Sequence, residues 1–398
     1  MKRNEVAGYD VVAGIDVGKD WHYCRALMPD GETELLSRRV AQDERALDGL
    51  FADLRAHGRV LAVVDQPSGF GALVAQSARD AGVDLGWVTP SRFARLADLS
   101  GEDKTDASDA LVLARAAIES PRHVQAVPEP DGEAGAARVL VRRRHAHVCE
   151  RTRAYNRVHD GMARCCPPLE ALLKRGALHS GVALGVLGRY GAAGLAAARK
   201  CDVLRWVRSR EGMGPAAEEQ ASRMWEAARS HGRKMPAADV LDRGIREDCA
   251  RIIELERLDE ELSGQIDALC AKVPEVAVAR TMAGVGAVYS RTIALEVGDV
   301  SRFRSASALA SYAGVGKCAR ESGSSNGKKR RRRYNRRLRT AMFESAKMAI
   351  RRPGPDRDYY EKKLSGSMNE HQALHALVRK RVTIMYAMLS NLEPYRAA

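Results

Sequence analysis

The sequence predicts an α/β domain at the amino-terminal end, followed by a long and mainly helical remainder. In residues 9–90, extended apolar runs alternate with turns and amphipathic segments, whereas residues 136–271 have helical periodicity almost throughout. The chain has 398 residues, of which 45% are hydrophobic and 29% charged. This composition excludes a disordered tail protein, and the length predicts two or three domains.

Positive charge is concentrated in one tenth of the chain. The formal net charge is +14, and residues 315–352 hold 14 Lys or Arg but only two Glu. Nine of the twelve residues from Lys328 to Arg339 are basic and would repel one another without an anion. A solvated basic face is the alternative, but the clustering favours a polyanionic partner, with nucleic acid as the leading candidate.

No run of about 18 apolar residues and no secretion signal is visible, so we expect a soluble protein without a membrane partner. The eight cysteines form no CxxC pair, which argues against a zinc ribbon and a disulfide framework. Both observations fit a reduced cytosolic setting.

The amino-terminal elements are predicted in chain order. The runs YDVVAGIDVG, WHYCRALM and ELLSRRV read as three strands joined by short turns. Helix 44–57, strand 59–65, helix 71–81, strand 84–90 and helix 104–119 follow. Three hairpin strands and then alternating helices and strands predict an α/β sheet of ribonuclease H type, with a domain over residues 1–125. The proline-rich and acidic stretch 121–135 is read as a linker.

Four carboxylates are expected to converge on this sheet. Asp16 and Asp65 each follow a buried strand, and the two strands are neighbours in such a sheet. Asp106 and Asp109 stand three apart on the next helix and therefore share a face. A cluster of this kind needs cations, which predicts two Mg²⁺ or Mn²⁺ ions suited to phosphodiester chemistry. Each aspartate alone is more often structural, and Asp20 and Asp103 are weaker alternatives.

The middle of the chain, residues 126–273, is predicted to be helical. Its apolar residues recur at helical spacing from Ile245 to Leu269, opposite a charged face. The stripe predicts either a helix packed within its own domain or a coiled-coil arm between domains or protomers, and the charged face favours the arm. Residues 176–198, rich in Gly and Ala, are assigned no function.

The carboxy-terminal region, residues 274–398, is predicted to be mainly helical. Gly284 and Gly286 separate two helical segments, a pattern that resembles a helix-hairpin-helix and brings backbone N–H groups close to phosphate; a plain helical turn is the alternative. We expect nucleic acid to be bound by these two glycines and by the following basic residues: Arg320, Lys328, Lys329, Arg330, Arg331, Arg332, Arg333, Arg336, Arg337 and Arg339.

The polar segment 320–327, RESGSSNG, has two readings. One is an ordinary flexible linker. The other is a serine nucleophile whose phosphodiester target is held by Arg320 and the arginines that follow. No histidine lies within forty residues, so a local hydrolase triad has no support.

Taken together, GIDVGKD, the acid that ends the fourth strand, KTDASDA, and AGVGAVYSRTIALEVGDVSRF through ARESGSS resemble the insertion-sequence transposases. These pair a RuvC-like DEDD domain with a carboxy-terminal serine domain and are related to pilin-inversion recombinases. Several members are guided by a bridge RNA. The order of the motifs over some 300 residues is more specific than any one motif.

The resemblance implies that Asp16, Asp65, Asp106 and Asp109 form the acidic tetrad and that Ser322 is the nucleophile. It also implies strand exchange between donor and target DNA through a phosphoserine intermediate, by a homodimer or homotetramer in the bacterial cytosol at the nucleoid, with a bridge RNA. The family usually has Glu where this chain has Asp65. A RuvC-type junction resolvase, which needs no Ser322, and a nucleic-acid-binding scaffold without catalysis are the competing hypotheses.

Overall fold

The computed structural model describes residues 8–101, 103, 105–127, 132–233, 235–316, 319–322, 325–328, 334–366 and 368–396. The chain divides into two compact units, residues 1–130 and 131–398. The expected further division at residue 273 stays a prediction. In the described part of the chain, no helix is both long and apolar enough to cross a membrane.

The amino-terminal unit is built on one mixed sheet. Its strands are β1 (Val11–Asp16), β2 (Trp21–Leu27), β3 (Glu34–Ala41), β4 (Val60–Val64), β5 (Asp84–Val88) and β6 (Val124–Ala126). They lie in the order β3-β2-β1-β4-β5-β6. Strand β1 is antiparallel to β2 and parallel to β4, as expected from three hairpin strands followed by a crossover. The predicted mixed α/β sheet with β1 beside β4 is confirmed.

Four helices cover the two faces of the sheet: α1 (Glu44–Arg55), α2 (Ala72–Asp80), α3 (Pro90–Ser100) and α4 (Asp106–Glu119). One face buries its apolar side chains with α1 and α2, and the other with α4 and part of α3. Strand β1 is buried on both faces, which explains why VVAGI is apolar without alternation.

Two elements differ from the sequence prediction. Helix α3 begins at Pro90, which we assigned to the preceding strand; proline is favoured in the first turn of a helix and here starts α3. Strand β6 lies in the stretch read as a linker. It pairs antiparallel with β5 through Trp87 and Gln125, so that tertiary pairing overrides the prolines around it.

The second unit is almost entirely helical. It contains α5 (Gly132–Cys165), α6 (Pro167–Leu173), α7 (Gly181–Tyr190), α8 (Ala193–Ala197), α9 (Lys200–Arg208), α10 (Pro215–Arg229), α11 (Ala238–Cys270), α12 (Pro274–Arg280), α13 (Ala287–Val297), α14 (Ala306–Tyr312), α15 (Arg336–Ala349), α16 (Pro355–Ser365) and α17 (Glu370–Asn391). Strands β7 (Ala319–Ser322) and β8 (Ser325–Lys328) form a separate hairpin.

Helices α5 and α11 form a long antiparallel pair. The ion pairs Arg157–Asp248, Arg251–Glu150 and Arg144–Asp259 join them in one continuous register. The apolar stripe of α11 is buried in the clusters that α5 lines. In the structure, α5 of the same chain packs against this stripe. This arrangement corresponds to the first alternative, a helix packed within its own domain. Contact with a second protomer stays a prediction.

The Gly- and Ala-rich stretch that the sequence left unassigned has a structural explanation. The carboxylate of Asp242, on α11, accepts hydrogen bonds from the backbone N–H groups of Ala192, Ala193 and Gly194, at 2.7, 2.8 and 2.9 Å. Three donors satisfy this buried carboxylate at the start of α8. Small residues there let the backbone reach the side chain.

Candidate functional site

Asp16 and Asp65 end two neighbouring parallel strands. Ile15 pairs with Val64, so the next residues along the chain are Asp16, the last residue of β1, and Asp65, which directly follows β4. Gly14, two residues before Asp16, faces α4: a Cβ at this position would lie 2.0 Å from the carbonyl oxygen of Ala110. Side chains alternate along a strand, so Asp16 shares this face with Gly14. Glycine here allows α4 to approach β1.

Asp65 is partly buried and is influenced by a second carboxylate. Its carboxylate accepts a hydrogen bond from the backbone N–H of Val17 at 3.3 Å. Burial raises the pKa of Asp65, hydrogen bonds from backbone N–H groups oppose this, and the negative charge of Asp109 adds to the increase. The structure therefore brings Asp65 and Asp109 within electrostatic range of each other across the sheet and α4.

The start of α4 presents the other two acids. Thr105 caps the helix and forms a capping box with Ser108, which fixes where the first turn begins. Asp106 and Asp109 lie in this turn, where the helix dipole favours negative charge. The side chain of Asp106 is 66% exposed and lies 3.9 Å from the guanidinium of Arg39, on β3.

The two alternative acids have other surroundings. The backbone carbonyl of Asp103 accepts a hydrogen bond from the Ser108 hydroxyl at 2.6 Å. The carbonyl of Asp20 accepts one from the backbone N–H of Gln42 at 3.1 Å, in the turn between β1 and β2. These contacts use the backbone carbonyls of Asp103 and Asp20. We call the four predicted acids, Asp16, Asp65, Asp106 and Asp109, the acidic edge.

The acidic edge fits a hard divalent cation by the chemistry of its donors. All four side chains offer carboxylate oxygens, which Mg²⁺ and Mn²⁺ prefer. Burial and, to a smaller extent, the charge of Asp109 raise the pKa of Asp65, and a cation would relieve the repulsion between the two carboxylates. Within the described ranges, no three His, Cys, Asp or Glu side chains are grouped closely enough to hold a metal as they stand. The individual ligand roles therefore stay predictions.

Sequence reasoning missed a buried polar side chain on β2. His22 is buried at the start of β2, and its Nε2 atom lies 2.5 Å from the Gln42 Oε1 atom. The amide nitrogen of Gln42 donates to the carbonyl of Phe70 at 2.6 Å. Burial lowers the pKa of His22. The alternation of buried and less buried residues in HYCRAL was the available signal. It places His22 on the same face of β2 as the buried Cys24, opposite Tyr23.

Ser322 lies in a β-hairpin rather than in an irregular linker. It is the last residue of β7 and pairs with Ser325, the first residue of β8. Two residues connect the strands, the connection length typical of tight hairpins. Ser322 is therefore placed at the turn end of the hairpin. For Arg320 and Lys328, the structure likewise describes the backbone pairing of the two strands.

The segment that carries this hairpin is closed at its base. The backbone N–H of Asn335 donates to the carbonyl of Tyr312 at 2.8 Å, and its amide donates to the Tyr312 hydroxyl at 2.9 Å. The Arg339 guanidinium donates to the carbonyl of Gly314. These contacts join the end of α14 to the start of α15, so the two ends of the segment that contains the hairpin are held together at what we call the stem.

A buried carboxylate stabilises the same stem. The Glu296 side chain is only 1% exposed and accepts hydrogen bonds from Arg142 at 3.0 Å, Asn335 at 2.7 Å and Arg337 at 2.6 Å. Burial by itself raises the pKa of Glu296, but these hydrogen bonds outweigh burial and lower the pKa to about 2. We call Glu296, Arg142, Asn335 and Arg337 the Glu296 cluster. No local pattern in the sequence indicates this cluster.

The basic residues predicted to bind nucleic acid include some that bind protein groups and one, Arg336, that is exposed. Arg337 and Arg339 contact protein groups at the stem. The Arg339 guanidinium also lies over the ring of Phe343, 4.5 Å from its centroid. Arg336 is exposed at the start of α15. Five predicted contacts lie outside the described residues: Lys329, Arg330, Arg331, Arg332 and Arg333.

The two predicted phosphate-binding glycines are not equivalent. They lie between α12 and α13, as expected. Gly284 has a φ of +73°, and a Cβ here would lie 2.3 Å from the carbonyl oxygen of Ser345, so glycine is needed for packing against α15. Gly286 is exposed with open space around it, at the start of α13. Only Gly286 has the openness that phosphate contact requires.

Comparison with known protein families gives two matches. The model of the IS110-type DEDD domain, described as "Transposase", matches residues 13–167. The model described as "Transposase IS116/IS110/IS902 family" matches residues 276–361. The first range contains the acidic edge, and the second contains Glu296, the β-hairpin and the basic segment.

Curated relatives match nearly the whole chain. "Insertion element IS110 uncharacterized 43.6 kDa protein" of Streptomyces coelicolor is 33% identical over 95% of this chain and 94% of its own length. The corresponding IS116 protein, of 44.8 kDa, from Streptomyces clavuligerus is 31% identical over 94% of both chains. The 42 kDa IS900 protein of Mycobacterium paratuberculosis is 32% identical over 98% of both.

Among solved structures, a chain of "T. thermophilus RuvC in complex with Holliday junction substrate" aligns over 30% of this chain and 100% of that chain. The TM-score is 0.26 and the identity 15%. The chain belongs to the IS110/IS116 family of insertion-element transposases, with an amino-terminal DEDD domain and a carboxy-terminal IS116/IS110/IS902 domain.

Proposed function

We propose that this protein moves an insertion element by cutting and rejoining DNA strands, using the acidic edge and Ser322. The observation that carries the proposal is the placement of Asp16 and Asp65 at matched ends of two parallel strands, with Asp109 near enough to raise the pKa of Asp65. Carboxylates held in this way are typical of metal-assisted phosphodiester chemistry. Donor and target DNA are the proposed substrates.

Asp16, Asp65, Asp106 and Asp109 would hold Mg²⁺ or Mn²⁺. When bound, these ions polarise a phosphodiester and stabilise negative charge on its oxygens. The protein's own contribution is positioning. Asp65 is fixed by the N–H of Val17, and the capping box at Thr105 holds the first turn of α4 and thus the two acids on it. Pre-positioned ligands of this kind lose little freedom when the reaction begins.

Ser322 is the proposed nucleophile. Its hydroxyl oxygen would attack the phosphorus of a DNA phosphodiester, form an O–P bond and displace a deoxyribose oxygen, which leaves with a proton. The DNA end is then joined to the protein, and no ATP is consumed because the phosphoester energy is retained. The turn end of the hairpin, where Ser322 pairs with Ser325, is the position from which the serine would act.

The test is to trap this adduct. Protein is incubated with labelled DNA that carries the ends of the element and with Mg²⁺, and the products are separated under denaturing conditions. We expect labelled DNA bound to wild-type protein and none bound to Ser322→Ala. Cleavage without adduct, retained in Ser322→Ala, would support a RuvC-type resolvase instead and overturn the serine mechanism.

We also propose that an RNA made from the element directs the reaction and that the active form is a homodimer or homotetramer. The basic segment 328–339 provides positive charge for a phosphate backbone. Recombination should therefore disappear after ribonuclease treatment and return when the element's transcript is added. Full recombination by RNA-free protein would refute the guide, and a monomeric mass for the DNA-bound protein would refute the assembly.

A further inference from the structure

Arg39 lies in the same row of the sheet as the acidic edge. Asp16 on β1 pairs with Tyr23 on β2, and Tyr23 pairs with Arg39 on β3. Residues paired across a sheet point to the same face, and Arg39 reaches Asp106 of α4 on that face. A guanidinium therefore stands two strands from Asp16, beside the carboxylates.

The contact between Arg39 and Asp106 is weak and easily exchanged. The two charged groups are 3.9 Å apart, and their side chains are 68% and 66% exposed. Ion pairs of this kind contribute little to stability, so little is lost when they separate. If Asp106 ligates a cation, Arg39 becomes available to another anion at the same place. A DNA phosphate is the anion that the proposed reaction brings there.

An exposed aromatic ring, that of Trp21, lies on the same face of the sheet near Arg39. Trp21 begins β2 and shares the alternation of Tyr23, so it points to the face of the acidic edge. It is 59% exposed. An indole in water gains by stacking on a nucleobase, whatever the base, because every base has an apolar face. Arg39 and Trp21 are diagonal neighbours across β2 and β3.

The neighbouring arginine provides a built-in comparison. Arg38 lies on the same strand, but its side chain points to the opposite face and forms an ion pair with Asp53, on α1, at 2.8 Å. Arg38 and Arg39 thus share residue type, strand and exposure to solvent, and differ in which face of the sheet they serve.

We propose that Arg39 binds a phosphate, and Trp21 stacks on a base, of the DNA strand held at the acidic edge. The inference rests on the proposed function, because it needs DNA at the four carboxylates. Arg39 provides a planar pair of donors that matches two phosphate oxygens, and Trp21 fixes the neighbouring nucleotide. Together they would set the path of one strand along the β2–β3 side of the sheet.

The experiment measures DNA affinity with the full chain and a labelled duplex, in Ca²⁺ and again in EDTA. Ca²⁺ takes oxygen ligands, and the ratio of the affinities in Ca²⁺ and in EDTA removes any contribution that does not depend on the cation, such as that of the basic segment 328–339. We expect Arg39→Ala and Trp21→Ala each to reduce the Ca²⁺-dependent gain in affinity about tenfold. We expect Arg38→Ala to leave it unchanged and Arg39→Lys to retain part of it.

The possible outcomes distinguish a failure of the roles of Arg39 and Trp21 from a failure of the proposed function. Equal ratios for Arg39→Ala and Arg38→Ala would overturn the role of Arg39, and a wild-type ratio for Trp21→Ala would overturn the role of Trp21. If Asp16→Ala also keeps the wild-type ratio, the acidic edge is not where Ca²⁺ and DNA meet, and the proposed function itself fails. Thermal unfolding of each variant confirms that the fold is intact.

Discussion

The acidic edge and the Glu296 cluster hold charge in opposite ways. In the acidic edge, Asp106 lies 3.9 Å from the guanidinium of Arg39, and burial together with the charge of Asp109 raises the pKa of Asp65. The Glu296 cluster surrounds one buried carboxylate with two arginines and an amide, and the pKa of Glu296 falls to about 2. Repulsion in the first region favours an incoming cation, whereas the second is satisfied without a ligand.

The difference shows that a charged residue in this chain can have a structural role or a binding role, and the arginines at the start of α15 are an example. The dipole of α15 disfavours arginines in its first turn, yet Arg336, Arg337 and Arg339 are there. Glu296 and the carbonyl of Gly314 offset that cost for Arg337 and Arg339. A run of basic residues in the sequence therefore combines structural arginines with others that face solvent, and only their contacts distinguish the two.

The largest effect is expected at the acidic edge. Asp16→Ala, Asp106→Ala and Asp109→Ala should each reduce DNA cleavage by about a hundredfold or more, because each removes a proposed metal ligand. Each change relieves repulsion among the acids, whereas Asp106→Ala and Asp109→Ala also lose a favourable interaction with the helix dipole, so the free energy of unfolding should change by no more than about 1 kcal/mol. Cleavage assays in Mg²⁺ and denaturant unfolding measure the two quantities. Wild-type cleavage by any of these variants would exclude that residue from the tetrad.

The second expected effect separates arginines that are predicted to bind nucleic acid from the structural Arg337. Replacing Arg330, Arg331, Arg332 and Arg333 with alanine should lower the log–log salt slope of duplex DNA binding by about 3.6, at about 0.9 for each phosphate contact. Arg337→Ala should instead lower stability, because it removes a partner of Glu296. Binding is measured by fluorescence anisotropy over a salt series. An unchanged slope for the fourfold variant would place this segment away from nucleic acid.

The third prediction concerns the stability of the Glu296 cluster. The pKa of Glu296 falls from 4.5 to about 2 on folding, which corresponds to about 3 kcal/mol at neutral pH. Between pH 4.5 and 2 the unfolded chain binds the proton more readily. The contribution is therefore complete above the unfolded pKa and is lost as pH falls through the folded one.

Glu296→Gln should accordingly reduce the free energy of unfolding by a few kcal/mol at pH 7 and flatten its dependence on pH in acid. Glu254→Gln is the matched control, because Glu254 pairs with Arg257 on an exposed face of α11 and should change stability by less than about 1 kcal/mol. Urea unfolding across pH measures both. Equal losses in the two variants would contradict the special role of the cluster.

The smallest effect is expected for a conservative change at Asp65. Asp65→Glu should keep cleavage within a few-fold of wild type, because Glu is the acid that the family resemblance implies at this position. Asp65→Asn removes the negative charge and should lose cleavage as strongly as Asp16→Ala. Metal titrations of cleavage distinguish the two variants. Identical behaviour of Glu and Asn at this position would rule out a metal role for Asp65.

Local pattern was sufficient for much of the amino-terminal sheet and insufficient for its edges. The apolar runs before Asp16 and Asp65 mark two strands that the fold buries completely, so their ends could be placed from the sequence. Strand β6 could not be predicted in the same way. Its three residues lie between prolines and become a strand only because the edge of β5 offers hydrogen-bonding groups.

In the helical unit, too, local pattern predicted the element but not its packing partner. The stripe on α11 identified a helix with one apolar side, but periodicity contains no information about which partner covers that side. The structure shows α5 of the same chain, joined by ion pairs such as Arg157–Asp248. Likewise, the polar composition around Ser322 is that of a linker, whereas pairing of β7 with β8 makes the segment a hairpin.

By itself, the sequence determined the α/β character of the amino-terminal unit, the positions of four acids at element ends, and the basic segment, since these depend on local periodicity and composition. Only the tertiary structure decided that Asp65 and Asp109 influence each other, that Arg39 faces the acids while Arg38 does not, and that Glu296 binds Arg142 and Arg337. These contacts join residues far apart in the chain. Their formation depends on how whole elements pack, which no local pattern encodes.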